Sequence, residues 1–183
     1  NVLDMSKLLS GRNELKKTTF TLDKLVEDCI SVARGQASGQ KIVFQKEYRQ
    51  ISHGLLFGDE TKLRQVIINI LTNAVKFTPD YGKILLRVTE TSVANGRVQC
   101  LFEIKDTGIG MSSEFQRRMF DPFERECQQP SKNDNGAGLG MTIVKEYVDL
   151  MGGKIEVDSE INKGTCFKIS LILETREPLI GQI

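Results

Sequence analysis

Two asparagines, a lysine and a phenylalanine stand at positions 69, 73, 76 and 77 of a stretch with helical periodicity. At about 100° per residue, Asn69, Asn73, Lys76 and Phe77 fall on one strip beside the apolar arc of Leu63, Ile67, Ile70, Leu71, Ala74 and Val75. Asparagine is a poor interior helix residue because its side chain competes for backbone hydrogen bonds, so two on one strip need a reason. Two amides, a cation and an aromatic ring thus share a face. The plainer alternative is a solvated flank with Phe77 packed at its edge.

A second segment, DTGIGM at Asp106 to Met111, follows an apolar strand pattern and sets two glycines two apart after a carboxylate. Such a turn lets a ligand approach the backbone, and a carboxylate, which only accepts hydrogen bonds, suits an exocyclic amine such as that of adenine. A turn closed by an Asx-type bond is the alternative. A third segment, Gly136 to Gly140 (GAGLG), opens a helix directly. Free backbone N–H groups and the positive helix end favour an anion there, phosphate above all, unless the glycines only form a flexible connection. The spacing is not that of a P-loop, and the segment does not follow a strand as a dinucleotide fingerprint does.

Between the glycine boxes lies FDPFER, Phe120 to Arg125, and then a polar run from Glu126 to Asn135 whose only less polar members are Cys127 and Pro130. That run cannot pack a core, which predicts a mobile segment. Phe120 and Phe123 are placed to pin its start to the body, as in a hinged lid, or are simply two buried phenylalanines under a surface loop.

These segments need a frame. Phe20, Leu22, Leu25, Val26, Cys29, Ile30 and Ala33 repeat at helical spacing, and a second, longer helix is predicted from Asp59 to Lys76, stopped by Pro79 and Gly82. A third helix carries Leu139, Ile143, Val144, Tyr147, Val148 and Met151 and stops at Gly152-Gly153, and a short helical piece lies near Ser113 to Met119. Strands are predicted at Lys41 to Lys46 and Gly54 to Phe57, around a polar turn at Arg49 to His53. Ile84 to Thr89 and Val98 to Lys105 alternate as a hairpin across SVANGR, and Ile155 to Val157 and Cys166 to Leu173 close the series. Strands grouped with three main helices, without strict alternation, predict an α+β two-layer sandwich.

Composition limits the function classes. With 183 residues and 25 Lys plus Arg against 24 Asp plus Glu, the net charge of +1 gives no whole-chain attraction to DNA or anionic lipid. The most nearly apolar run, Val66 to Leu71, is broken by Asn69 and is far short of the ~20 residues that span a bilayer. The N-terminal NVLDMSKLLSG lacks the features of a signal peptide, so a cytoplasmic domain is expected. Cys29, Cys100, Cys127 and Cys166 are isolated and His53 is the only histidine, which argues against a zinc site or a disulfide framework.

NIxxNAxKFTP, DTGIGM, FDPFER and GAGLGMTIV, in this order, resemble the N, G1, F and G2 boxes of the catalytic and ATP-binding domain of histidine kinases. The resemblance covers roughly residues 18 to 174. It implies a Bergerat fold: a mixed sheet of about five or more strands layered on three main helices, with a flexible ATP lid. It further implies ATP and Mg2+ as ligands, with Asn69 and Asn73 at the metal and Asn69, Lys76 and Arg125 as the catalytic set. Lys76 and Arg125 resemble the cations that meet the polyphosphate, and Phe77 the aromatic against adenine. Asp106 matches the acceptor of the adenine N6 amine, within an ATP-binding set of Asn73, Lys76, Phe77, Asp106, Gly108, Ile109, Gly110, Phe123, Gly136, Gly138, Leu139, Gly140 and Thr165.

The phospho-acceptor box of such kinases, a His followed by an acidic residue on a two-helix dimerisation hairpin, is not matched; His53 sits in SHGLLFGD beside a strand and reads as structural. Residues 1–11 look like the end of that hairpin, 12–174 form the catalytic domain, and 175–183 a tail or linker. The implied partners are a histidine-containing dimerisation domain of the same parent, a membrane-anchored parent being compatible with the resemblance, and a downstream receiver domain, with the isolated chain a monomer. ATPases of the same fold offer the alternative of an ATP-hydrolysing conformational switch. They resemble one another in carrying Glu four residues before the metal Asn, whereas this chain has Asn69, a poor base for water. A degenerate binding module would be expected to lose a metal Asn, the G1 Asp or a G2 glycine, and all are present.

Overall fold

The computed structural model describes residues 14–51, 54–124 and 138–176. The strands are β1 (Thr18–Phe20), β2 (Val43–Arg49), β3 (Leu55–Gly58), β4 (Lys83–Val93), β5 (Arg97–Asp106), β6 (Lys154–Glu160) and β7 (Gly164–Arg176). The helices are α1 (Leu22–Gln36), α2 (Glu60–Phe77), the short α3 (Ser113–Arg118) and α4 (Gly140–Leu150). The sheet runs β1-β3-β7-β5-β4-β2, with β6 also paired to β7. Only β2–β4 is parallel; the other pairs are antiparallel. The 13-residue β7 has β5 along one edge, while β6 and β3 follow one another along the other.

One face of this sheet is covered. Alternate residues of the central strands, Ile84, Leu86 and Val88, Cys100, Phe102 and Ile104, Phe167, Ile169 and Leu171, are buried against the helices, as period-two side-chain direction requires. The opposite face mixes a charged row with scattered apolar residues, among them Leu85, Leu101 and the exposed Ile172. Glu47, Arg87, Glu103, Lys168 and Glu156 stand in register across five strands, a row of alternating charge. Arg87 bonds both neighbours, Glu47 and, at 3.2 Å, Glu103. Opposite charges on facing strands stabilise modestly and keep an open face solvated.

Helix α2 is delimited by chemistry visible in its sequence. The Asp59 side chain caps it by accepting from the Lys62 N–H at 3.0 Å, Lys76 lies in its last turn, and Thr78, preceding Pro79, turns extended at φ −92°, ψ 123°. Its buried arc, Leu63, Val66, Ile67, Ile70, Leu71, Ala74 and Val75, packs between α1 and α4 and presses on the sheet. Cys29 and Cys100 are fully buried, which pushes both thiols up to about 12 and makes them inert core residues. Cys127 and His53 lie outside the described residues.

Several expectations need correction. Phe20, assigned to the first helix by its spacing, is the last residue of β1 and is buried there. The strand predicted at 41–46 runs from Val43 to Arg49. Although β2 and β3 follow one another in sequence, they do not pair: β2 is an edge strand on β4, and β3 lies near the other edge between β1 and β7. The last strand, expected at Cys166 to Leu173, runs from Gly164 to Arg176, with Thr175 and Arg176 paired to Leu56 and Leu55. The hairpin β4–β5 is as predicted, with Asn95 and Gly96 both at positive φ in its turn.

Candidate functional site

Asp106 is the last residue of β5, directly opposite Thr165 at the start of β7. It is only 6% exposed, and Oδ1 accepts from the Gly108 N–H at 2.8 Å and the Thr165 N–H at 3.3 Å. Burial pushes its carboxyl above the ordinary 3.8, and the two N–H groups oppose that shift only in part. The Asx-type bond to Gly108 is therefore real, and both described bonds fall on one oxygen, leaving Oδ2 as the acceptor available to a ligand.

The turn after Asp106 ties three elements together. The Ile109 N–H donates to the Phe77 carbonyl at the end of α2, and the Ile109 carbonyl accepts from Asn162 in the β6–β7 turn, at 3.2 and 2.7 Å. Both glycines of this turn are set by close approach, but to the protein's own backbone. A Cβ at Gly108 would lie 2.6 Å from the Phe77 carbonyl oxygen, and one at Gly110, where φ is +67°, would lie 2.0 Å from that of Glu160. Both glycines thus answer a packing requirement of the protein itself.

Along α2, Asn69 and Asn73 are half-buried, while Lys76 and Phe77 are exposed, Phe77 by 44%. The Lys76 ammonium lies 5.0 Å from the Phe77 ring centroid, within cation–π range. The Asn69 amide Nδ2 lies 3.4 Å from the Gly140 carbonyl, joining α2 to the first residue of α4. That N–H donation turns the Asn69 Oδ1 away from α4's carbonyl. Helix α4 begins with no side-chain cap, so its first-turn N–H groups remain available to an anion. Among the described residues, a Cβ at Gly140 would meet no atom within 4 Å. Leu139 is buried, and its side chain belongs to the core.

Gly138, at φ +70°, would bring a Cβ within 3.0 Å of the Phe123 backbone, and its carbonyl accepts from the Phe123 N–H at 3.1 Å. The F and G2 boxes thus meet at Phe123 and Gly138. Phe123 does not pin the loop through its ring: it is 71% exposed with φ +66°. Met119 is the buried anchor, and Phe120 packs against the core at its edge. Arg125, Gly136 and the lid expected at 126–135 lie outside the described residues.

Contacts therefore bring Asn69, Phe77, Asp106, Ile109, Thr165 and Gly140 to one end of the sheet. Gly164 was not foreseen: at φ +97° its Cβ would lie 2.1 Å from the Asp106 carbonyl oxygen, so a glycine sets the approach of β7 to the end of β5. A glycine opening a strand directly before Thr165 was the available signal. Among the described residues no cluster of three His, Cys, Asp or Glu residues could hold a metal. Two neutral amide oxygens fit Mg2+, which keeps most of its shell as water and phosphate oxygen. No helix among the described residues is long and apolar enough to cross a membrane.

The fold and the boxes gathered at its open end define an ATP-binding domain of the Bergerat type. The chain belongs to the family described as Histidine kinase-, DNA gyrase B-, and HSP90-like ATPase, whose model matches residues 58–175. Among similar proteins, Circadian input-output histidine kinase CikA of Thermosynechococcus vestitus is 32% identical over 172 residues, 93% of this chain and 23% of that protein. Sensory/regulatory protein RpfC of Xanthomonas campestris is 35% identical over 179 residues, 97% of this chain and 24% of that protein. The chain thus spans about a quarter of the length of these relatives. The full-length structure of ShkA in complex with AMPPNP superimposes with a TM-score of 0.79 at 28% identity, over 97% of this chain and 35% of that one. The Mycobacterial sensor histidine kinase MprB shares the fold, with a TM-score of 0.69 at 24% identity over 87% of this chain and all of that one.

Proposed function

We propose that this domain is the phosphoryl donor of a sensor histidine kinase: it binds ATP with Mg2+ and presents the γ-phosphate to a histidine on a separate dimerisation domain of the same parent. The observation that carries the reading is Asp106, a buried carboxylate whose Oδ1 is held by two backbone N–H groups while Oδ2 remains to accept from an exocyclic amine. The half-exposed Phe77 ring, tied to the same turn through Ile109, offers the flat apolar surface a purine packs against. Thr165 completes the base end. Asn69 and Asn73 supply amide oxygens for Mg2+, Lys76 and Arg125 meet the polyphosphate, and the first-turn N–H groups of α4 at Gly140 receive phosphate oxygens. Bound Mg2+ would neutralise the charge on the phosphate oxygens.

This chain's residues position the substrate and offset its charge. The attacking imidazole nitrogen comes from outside: it forms the new P–N bond as the bond to the ADP oxygen breaks, with the imidazole proton passing to a base on that domain. A receiver domain downstream, a cytoplasmic location and a monomeric isolated domain belong to the same reading. Asn69 argues for transfer over hydrolysis, since an amide whose N–H is donated to Gly140 cannot deprotonate water. Phosphate release from ATP by the domain alone tests this choice. Slow release, increased in Asn69→Glu, is the expected result; rapid release by the unaltered domain would support the hydrolysing switch.

A further inference from the structure

Ser159, in β6, lies outside all four boxes, yet its hydroxyl meets three partners at the base end of the site. Oγ is 2.9 Å from the Met111 N–H nitrogen, 3.0 Å from the Gly164 carbonyl oxygen and 2.9 Å from Thr165 Oγ1. The Met111 N–H can only donate and the Gly164 carbonyl can only accept, while Ser159 has a single proton. Were that proton given to Thr165, two oxygens would stand 3.0 Å apart at Gly164 with none between them. All three contacts are hydrogen bonds in one arrangement: Ser159 donates to the Gly164 carbonyl and accepts from both the Met111 N–H and the Thr165 hydroxyl. Thr165 thereby spends its proton on Ser159, and its oxygen offers only lone pairs to a ligand. Asp106, paired with Thr165 in register and bonded to its N–H, is likewise an acceptor only.

The geometry points to Ser159 as a positioning residue for base specificity: by taking the Thr165 proton it makes the Asp106–Thr165 pair accept without donating, which favours the 6-amino group of adenine over the 6-oxo group of guanine. This rests on the adenine reading of Asp106 above. Loss of Ser159 frees the Thr165 hydroxyl to rotate and donate, removing an acceptor from an amine and supplying a donor to a carbonyl. A second tie separates this polarity effect from simple loosening. Gln116 Nε2 of α3 donates to the Met111 carbonyl at 3.1 Å and the Ser159 carbonyl at 2.9 Å, holding the same segment without touching the hydroxyl chain.

The test is calorimetric titration of the whole chain with Mg2+-ATP and Mg2+-GTP. Ser159→Ala should lower the ATP-over-GTP preference about three- to tenfold, the worth of one hydrogen bond. Ser159→Thr, which keeps the hydroxyl, should restore it, and Gln116→Ala should leave the ratio at its starting value. Should alanine open the hairpin, Ser159→Cys, a weaker donor and acceptor of similar size, should shift the ratio in the same direction by less. A starting ratio retained in Ser159→Ala or Ser159→Cys overturns the proposal, as does an equal fall in Gln116→Ala. If Asp106→Asn alone abolishes the preference, only the role of Ser159 fails; if the unaltered chain shows no preference for ATP, the adenine reading fails and this inference with it.

Discussion

Asp106 and Thr165 face each other in register across β5 and β7, and the Thr165 backbone N–H donates 3.3 Å to Asp106 Oδ1. A buried carboxylate is thus held by main-chain donors, which separates its orientation from the charge of any neighbouring side chain.

Asp106→Asn should keep the fold and lose the ligand. The amide oxygen can take over the bonds to Gly108 and Thr165, but the NH2 then occupies the place of Oδ2 and opposes an exocyclic amine. ATP affinity should fall at least about tenfold, the effect of an unpaired buried donor of ~1–3 kcal/mol. Thermal stability should be equal or higher, because folding raises the Asp106 pKa and the ionised form is disfavoured at neutral pH. Paired melting and titration curves check both halves.

The same shift fixes a pH dependence. A carboxyl raised above 3.8 in the folded state takes up its proton at a higher pH than an exposed aspartate, so its own contribution to stability grows as pH falls through the folded value. In its proposed role as acceptor of the exocyclic amine, Asp106 acts in its ionised form, so nucleotide binding should have the opposite sign. Affinity for ATP should decline on acidification from a pH above the ordinary aspartate range, and Asp106→Asn should remove that component of the profile.

Asn73→Ala should reduce the Mg2+-dependent part of ATP affinity about tenfold while leaving the melting temperature within a few degrees, because the residue is half-buried on the strip beside the core and not within it. Titrations with and without Mg2+ isolate the effect; a variant with the unaltered Mg2+ dependence would remove Asn73 from the metal.

Two glycines should respond in opposite ways. Gly110→Ala places a Cβ 2.0 Å from the Glu160 carbonyl at φ +67°, so the end of β6 must move, and a loss of at least ~1–3 kcal/mol is expected in denaturant unfolding. Gly140→Ala meets nothing within 4 Å among the described residues and sits in the first turn of α4, so stability should be unchanged or rise by up to ~1 kcal/mol while ATP binding weakens through crowding of the phosphates.

The parts of the site built on local pattern were legible in the sequence. Helix α2 announces its face by periodicity and its ends by Asp59 and Thr78-Pro79, so the strip of Asn69, Asn73, Lys76 and Phe77 follows from spacing alone. The β4–β5 hairpin likewise carries its alternation and its Asn95-Gly96 turn. What could not be read depends on partners distant in the chain. Three residues of β1 carry too little alternation to compete with the helical spacing that Phe20 shares with Leu22 and Leu25. Glycines 108 and 110 declared a tight turn, but not that Phe77 and Glu160 would press on them. Ser159 gave no sign at all, because its partners are Met111, 48 residues earlier, and the far side of its own hairpin. Phe123 misled because an aromatic residue suggests an anchor, whereas here its backbone makes the contact with Gly138 and its ring faces solvent.

Incubation with γ-labelled ATP and Mg2+, alone and with a cognate two-helix histidine domain, followed by acid and alkali treatment, tests whether this domain passes the γ-phosphate of ATP to a histidine on another domain. Acid-labile, alkali-stable label is expected on the added domain and none on this chain. Such label on His53 of this chain, or rapid release of free phosphate with none transferred, would contradict that transfer.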